Sequence, residues 1–301
     1  MNQNVYLHFG YPKCLSTALQ RNFFEKHTQI NFGGVGVEDN ISYVNQDVEI
    51  CFESHLKYSN DIFWERNKKR IKKSLEKLIK NSLPKKTVFS SEHLSFNFTL
   101  QGLNNGLKYQ RINYLFDNFN IKILLFKRKP VQLIRSLYSE FLKMGYAQDY
   151  LTFLNWVIRY KDRNFMFDLN FDIKHNQLKY YFKEENILWL DYNIAKEKGV
   201  KEYLNNELSN WLNIENRNLD IKQTNVSLTK NQQRELLDVN KKMKRGLSDV
   251  KTESFEKHRY RSSFKKCGLI YREEVVFSDV VLKRKALNKL IHKEYLSTQG
   301  S

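Results

Sequence analysis

The sequence predicts an α/β fold with a central parallel β-sheet flanked by helices, and three observations point to it. Short apolar runs at residues 5–9, 87–90, 122–126 and 187–190 have the length of strands but not the alternation of a half-exposed sheet, so they read as buried on both faces. Longer segments with apolar residues at helical spacing lie between them, and strands alternating with helices close into a parallel sheet through right-handed crossovers. With 301 residues, 41% hydrophobic, including 21 Phe, 17 Tyr and 4 Trp, the chain has the bulk for a packed core; disordered and collagen-like classes are excluded.

In chain order, residues 5–9 are the first strand and 16–26 the helix that follows its turn. Residues 61–81 form a basic amphipathic helix, with Ile71, Leu75, Leu78 and Ile79 at helical spacing among lysines. Strand 87–90, helix 103–118 and strand 122–126 come next. Pro130 then opens a helix over 130–144, since proline lacks only an N–H that is unsatisfied in a first helical turn. Helices 149–161 and 174–184, strand 187–190, and helices 196–211, 229–245 and 279–295 complete the pattern. No repeat, Gly/Ser linker or low-complexity tail interrupts it, so 1–301 reads as one domain, with 246–301 as a C-terminal extension.

Charge is uneven. Against 33 Asp and Glu stand 51 Lys and Arg, a net +18, of which +7 falls in 61–90 and +10 in 221–301, while 1–60 sums to −2. For the basic helix over 66–80 three readings stand: a solvated face, a nucleic-acid patch, or a dock for another polyanion. The abundance of Asn and Lys with only 3 Pro also fits an AT-rich coding sequence. No apolar run approaches the ~18 residues of a membrane span. Residues 1–9 read as a strand without a charged leader or cleavage site, which predicts a protein that stays where it is made. Cys14, Cys51 and Cys267 are widely spaced, without C-x-x-C pairs, which argues against a disulfide scaffold or zinc site and for a reducing cytoplasm.

In folds of this class ligands bind at the carboxyl ends of strands, which directs attention to loops 10–16, 91–95, 127–130 and 191–195. The first carries Gly10, Lys13, Ser16 and Thr17 between a strand and a helix, where backbone N–H groups, a lysine and hydroxyls hold a phosphate. A Walker A loop would place its lysine directly before Ser/Thr, so nucleotide hydrolysis is disfavoured. The competing reading is a helix cap by Ser16 beside an incidental lysine. In the third loop Arg128 stands at a strand end, with Ser136 eight residues on; the pair suits a second phosphate, the alternative being a solvated Lys127–Lys129 turn. Loop 91–95 brings Glu92 and His93 to the same edge, either of which serves as a general base at a suitable pKa. The bland alternative makes Glu92 a cap and His93 a core residue. His8, mid-strand, reads as core.

The stretch Leu7-His-Phe-Gly-Tyr-Pro-Lys-Cys-Leu-Ser-Thr-Ala-Leu-Gln20 resembles the 5′-phosphosulfate loop of sulfotransferases that use 3′-phosphoadenosine 5′-phosphosulfate (PAPS), with Cys14 and Leu15 where small residues are usual. The Arg128-x-Pro130…Ser136 spacing resembles the family's second signature. The resemblance implies a three-layer, P-loop-like domain of the bacterial carbohydrate-type sulfotransferases, with PAPS as donor and no metal. It implies that Lys13, Ser16 and Thr17 bind the 5′-phosphosulfate, that Arg128 and Ser136 bind the 3′-phosphate, and that Tyr192, ending the strand from Ile187, lies near the adenine. Weaker similarity continues at Asn225-Val-Ser-Leu-Thr229. The strand ending Ser-Ser-Glu is similar to one whose glutamate is the base, which makes Glu92 the first choice and His93 the alternative. The expected reaction is sulfuryl transfer to a hydroxyl or amine of a glycan or glycolipid, in a pocket shaped by residues 33–58 and 140–180. No nucleic-acid partner is expected, and peripheral membrane contact stays open. The competing classes are a P-loop nucleotide kinase or other phosphotransferase and a non-enzymatic polyanion-binding protein.

Overall fold

A computed structural model describes residues 3–35, 42–58, 61–96, 103–143, 145–159, 165–221 and 228–245. The expected helix at 279–295 and the extension 246–301 lie outside the described residues. By their internal contacts the residues divide into two compact units. The first comprises Met1–Asn97, Gln101–Arg128 and Ile173–Asn225; the second comprises Phe98–Leu100, Lys129–Asp172 and Val226–Ser301.

The elements in order are β1 (Asn4–Phe9), α1 (Ser16–Leu19, continuing as a π turn, Gln20–Phe24), β2 (Ile30–Phe32), β3 (Gly34–Val35), β4 (Ser42–Tyr43) and α2 (Gln46–Ile50, continuing as a π turn, Cys51–His55). There follow α3 (Asp61–Asn81), β5 (Lys86–Ser91), α4 (Asn105–Leu115), β6 (Asn120–Lys127), α5 (Pro130–Lys143), α6 (Tyr150–Arg159), α7 (Phe171–Tyr181), β7 (Ile187–Asp191), α8 (Tyr192–Glu197), α9 (Val200–Leu212) and α10 (Lys230–Arg245).

In the first unit five strands form an all-parallel sheet in the order β2-β5-β1-β6-β7. The four anticipated strands are its four central and right-hand members, in register Phe9 with Ser91 and Lys127 with Asp191. Successive strand residues face opposite ways, and β1 shows what covers each side. Phe9 stacks on Tyr109 of α4 at 6.1 Å, and Phe89 of the neighbouring strand stacks on Phe52 at 5.3 Å. On the other face His8 meets Phe24 at 5.7 Å, and Tyr6 packs edge-on against Trp211 of α9 at 5.0 Å. Helices therefore cover both faces, as predicted. His8 is fully buried, its Nδ1 bonded to Ser90 Oγ at 2.8 Å, a core residue as anticipated.

Trp64, Ile71, Leu75 and Ile79 of α3 point inward and its lysines outward. Residues 33–58, expected as an insertion, hold the β3–β4 hairpin and α2, which opens on an Asn45 side chain accepting from the Val48 N–H at 3.0 Å. The second unit packs aromatic rings of α5 and α6, Phe141 on Phe153 at 5.0 Å and Tyr138 on Phe153 at 5.4 Å. Asn240 of α10, buried, donates there to the carbonyls of Leu142 and Tyr146 at 2.8 and 2.9 Å. No described helix is long and apolar enough to cross a membrane.

Candidate functional site

The loop leaving β1 is sewn to the loop leaving β5. Gly10 N–H donates to the Ser91 carbonyl at 3.2 Å, and the buried Ser95 hydroxyl donates to the Gly10 carbonyl at 2.7 Å. The chain then turns tightly, with Cys14 N–H reaching back to the Tyr11 carbonyl at 3.2 Å. Lys13 and Leu15 sit in the left-handed region, at φ 61° and 68°. For non-glycine residues that conformation costs ~1–2 kcal/mol each, and strain of this kind collects at ligand-binding turns. Burial of the Leu15 side chain helps to hold it.

Leu15 occupies the cap position of α1 and contributes no side-chain bond, so the alternative reading of Ser16 as a helix cap is corrected. The Ser16 hydroxyl donates instead to the Tyr11 carbonyl at 3.0 Å, bracing the loop from inside. Thr17 follows, half-buried, as does Lys13. The first N–H groups of a helical segment lack intrahelical acceptors and favour an anion. Burial pushes the Cys14 thiol up to about 12, with Glu92 and Asp191 acting the same way and Arg128 opposing, so it stays protonated.

Glu92 and His93 do not lie on a strand. β5 ends at Ser91, whose hydroxyl accepts from the His93 N–H at 3.3 Å and opens a 3₁₀ turn, Glu92–Leu94. Glu92 lies against the anion loop: a β-carbon on Gly10 would stand 2.9 Å from Ser16 Oγ and 3.2 Å from Glu92 Cγ. The neighbours of His93 are different. Its imidazole is held down to about 3 by desolvation and by the Lys57 and Lys108 charges, with Glu53 pulling the other way, so it is neutral at pH 7. Buried Lys108 of α4 donates to the His93 carbonyl and ties the turn from behind. Glu53 accepts from the Tyr43 hydroxyl at 2.7 Å and pairs with Lys57 at 3.1 Å. Burial pushes the Glu53 carboxyl up, but His93, Lys57 and Tyr43 together hold it below its usual range.

Arg128 follows the last residue of β6. Its guanidinium donates to the Lys13 carbonyl at 2.6 Å and lies 4.3 Å from the ring centre of Tyr192, a cation–π contact. Its Nε is buried with no hydrogen-bond partner among the described residues, a donor that fits an incoming anion. The Lys127–Lys129 turn is therefore more than a solvated one, because its central side chain is built into the loop.

Tyr192 does not end a strand. β7 stops at Asp191, whose carboxylate accepts from Asn193 and Ile194 N–H at 2.7 and 3.4 Å and starts α8, with Tyr192 as its first residue, buried beside Arg128 and Lys196. Ser136 is buried in α5, in the second unit. The Asn225–Thr229 stretch lies mostly outside the described residues.

Lys13, Ser16, Thr17, Glu92, Arg128 and Tyr192 thus gather at the carboxyl ends of β1, β5, β6 and β7. Sequence reasoning passed over Gly10 as a close-approach point, Ser95 as the stitch and Lys108 as the anchor. Only Gly10 left a trace, as a glycine directly after a strand. The arrangement brings a loop bearing a lysine and hydroxyls, a guanidinium bonded to that loop and a carboxylate packed against it to one edge of the sheet. Among the described residues no three His, Cys, Asp or Glu cluster as for a metal ion.

These features define an α/β protein with a five-stranded parallel sheet and a carboxylate packed against the loop that follows its central strand. No protein-family model and no curated protein matches the chain. Solved structures similar to it include three sulfotransferases. A sulfotransferase from Alicyclobacillus acidocaldarius is 13% identical, with a TM-score of 0.48, over 85% of this chain and 100% of that one. Mouse sulfotransferase SULT7A1 complexed with PAP is 11% identical, with a TM-score of 0.43, over 99% and 85%. A sulfotransferase domain from the curacin biosynthetic pathway is 16% identical, with a TM-score of 0.45, over 98% of each chain.

Proposed function

We propose that the protein is a sulfotransferase that moves a sulfuryl group from PAPS to a hydroxyl of a glycan or glycolipid. The observation that carries this reading is the contact between the two halves of the chemistry: Glu92 packs against the same Gly10–Ser16 loop whose Lys13 carbonyl receives Arg128. Bound PAPS supplies an activated sulfuryl group and leaves as adenosine 3′,5′-bisphosphate once its sulfur–phosphate oxygen bond has broken and the acceptor oxygen is bonded to sulfur.

The residues then divide the work. Glu92 takes the acceptor's proton as its oxygen becomes nucleophilic. Lys13, Thr17 and the first N–H groups of α1 are assigned to the charge that develops on the departing 5′-phosphate; the Ser16 hydroxyl, bonded to the Tyr11 carbonyl, joins them only by turning its proton outward. Arg128, with an unpartnered Nε, holds the 3′-phosphate, and Ser136 is assigned to the same nucleotide from the sequence spacing alone. Tyr192 serves as the platform that sets the guanidinium plane. His93, neutral and a very weak base, is the lesser candidate for proton abstraction.

The test is transfer of labelled sulfate from PAPS into glycan and lipid extracts of the source cells, by wild type and by Glu92→Gln. Labelling that falls at least a hundredfold in the variant supports the assignment. Equal labelling by both removes Glu92 from its role, and labelling by neither, with PAPS also unbound, overturns the sulfotransferase reading.

A further inference from the structure

Helix α3 carries a surface that the proposed chemistry does not use. Trp64, Ile71, Leu75 and Ile79 bury one side of it. On the opposite side Arg66, Lys69, Lys73, Lys77 and Lys80 recur every three or four residues, all exposed, in a row about 21 Å long at 1.5 Å per residue. Cations on the flanks are neutralised: Lys68 pairs with Glu65 and Lys72 with Asp117, each at 2.5 Å, and Arg70 with Asp47. None of the five on the crest has a carboxylate partner among the described residues. A solvated helix face ordinarily mixes both signs; here the acids sit on the flanks and the crest is purely cationic.

The two ends of this row are apolar. Ile62, four residues before Arg66 and on the same line, is 70% exposed. Leu83, just past the helix, is 61% exposed, with Lys85 beyond it. A polyanion in water gains nothing from exposed aliphatic side chains. A flat anionic lipid surface gains from both, since headgroups attract the row while the aliphatic ends enter the acyl boundary. We propose that the α3 crest, from Ile62 to Leu83, is a docking surface for an anionic membrane, holding the protein at the bilayer face by five cations and two aliphatic anchors. This proposal stands independently of the catalytic reading, because α3 bears none of the residues assigned to it.

The experiment is cosedimentation of the full chain with vesicles of phosphatidylcholine alone and of phosphatidylcholine mixed with phosphatidylglycerol. Wild type should bind only the mixed vesicles, and rising salt should weaken binding. Each neutralised cation should lower the partition constant about fivefold, so Lys69→Gln/Lys73→Gln/Lys77→Gln together should lower it roughly a hundredfold. Ile62→Ser/Leu83→Ser should weaken binding about tenfold while leaving the salt dependence unchanged. All five positions are exposed, so unchanged melting temperatures identify folded variants. Glu92→Gln should bind as wild type does, which separates this result from failure of the sulfotransferase reading. Failure of wild type to bind the mixed vesicles at low salt would overturn the proposal. So would aliphatic variants that bind undiminished while RNA or dextran sulfate displaces the vesicles, which would mark a simple polyanion site.

Discussion

Replacing Gly10 with alanine puts one methyl group into the joint between the anion loop and the carboxylate. The added carbon would stand 2.9 Å from Ser16 Oγ, 3.3 Å from Ser16 Cβ and 3.2 Å from Glu92 Cγ. The first distance is shorter than real carbon contacts allow, and the serine has little room to yield, because its hydroxyl is bonded to the Tyr11 carbonyl at 3.0 Å. Gly10 itself is pinned by the Ser95 bond at 2.7 Å and the Ser91 bond at 3.2 Å. Overpacking of this kind costs ~1–3 kcal/mol, which predicts a melting temperature lower by a few degrees. The effect on turnover should be larger, since displacement of a reacting group by ~1 Å can cost about a hundredfold. Activity and thermal melting should be measured on Gly10→Ala, on Ser16→Gly and on the double variant. In the Ser16→Gly background the steric part of the Gly10→Ala penalty should shrink, a coupling between touching residues. Full activity with an unchanged melting temperature in Gly10→Ala would refute the contact on which Glu92's assignment rests.

Three further outcomes follow from the same structure. Burial lowers the His8 pKa to about 3 from 6.5, so between those values the unfolded chain binds more protons and stability falls as pH drops; the loss reaches about 3 kcal/mol at pH 4. Urea midpoints from pH 7 to 4 should show that decline, and His8→Gln should remove the His8 share of it while the share from His93 remains. Arg128→Lys keeps the charge but loses the fork that reaches the Lys13 carbonyl and lies over Tyr192, so affinity for adenosine 3′,5′-bisphosphate should drop about ten- to a hundredfold by titration calorimetry. In Lys57→Met the Glu53 carboxyl loses a cation that holds its pKa down, so that pKa rises towards the unfolded value; stability should fall at neutral pH, and the acid-linked loss contributed by Glu53 should become shallower.

The parts of the fold that were legible in the sequence are those whose signal is local. β1, β5 and the Ile123–Phe126 part of β6 are apolar runs because both faces of the sheet are covered there, whereas in the edge strand β7 only Leu190 is buried; Pro130 marks the first residue of α5. β2 was not read: three residues, Ile30–Phe32, are too few for a period to show, and only pairing with β5 makes them a strand. α2 had usable signals in the Asn45 cap and in Val48, Cys51, Phe52 and His55 at helical spacing, but they lay in a segment taken for an insertion. For the proposed site, residue types and spacing singled out Lys13, Glu92 and Arg128, whereas their contacts arise from tertiary packing. The Arg128 bond to the Lys13 carbonyl joins residues 115 positions apart. The choice between Glu92 and His93 depended on a 3₁₀ turn, where strand alternation no longer applies. The left-handed conformation of Leu15 had no sequence cue at all, since glycine is the residue that advertises it.

Central to this account is a nucleotide site that needs Lys13 and Arg128 but no metal ion. Thermal unfolding with adenosine 3′,5′-bisphosphate, in the presence of a chelator, addresses it directly. A ligand at a hundred times its Kd adds about 2.7 kcal/mol of stability, so wild type should melt several degrees higher, and Lys13→Ala and Arg128→Gln should lose most of that gain. An unshifted wild-type transition, or an equal shift from ATP only when magnesium is added, would contradict the account.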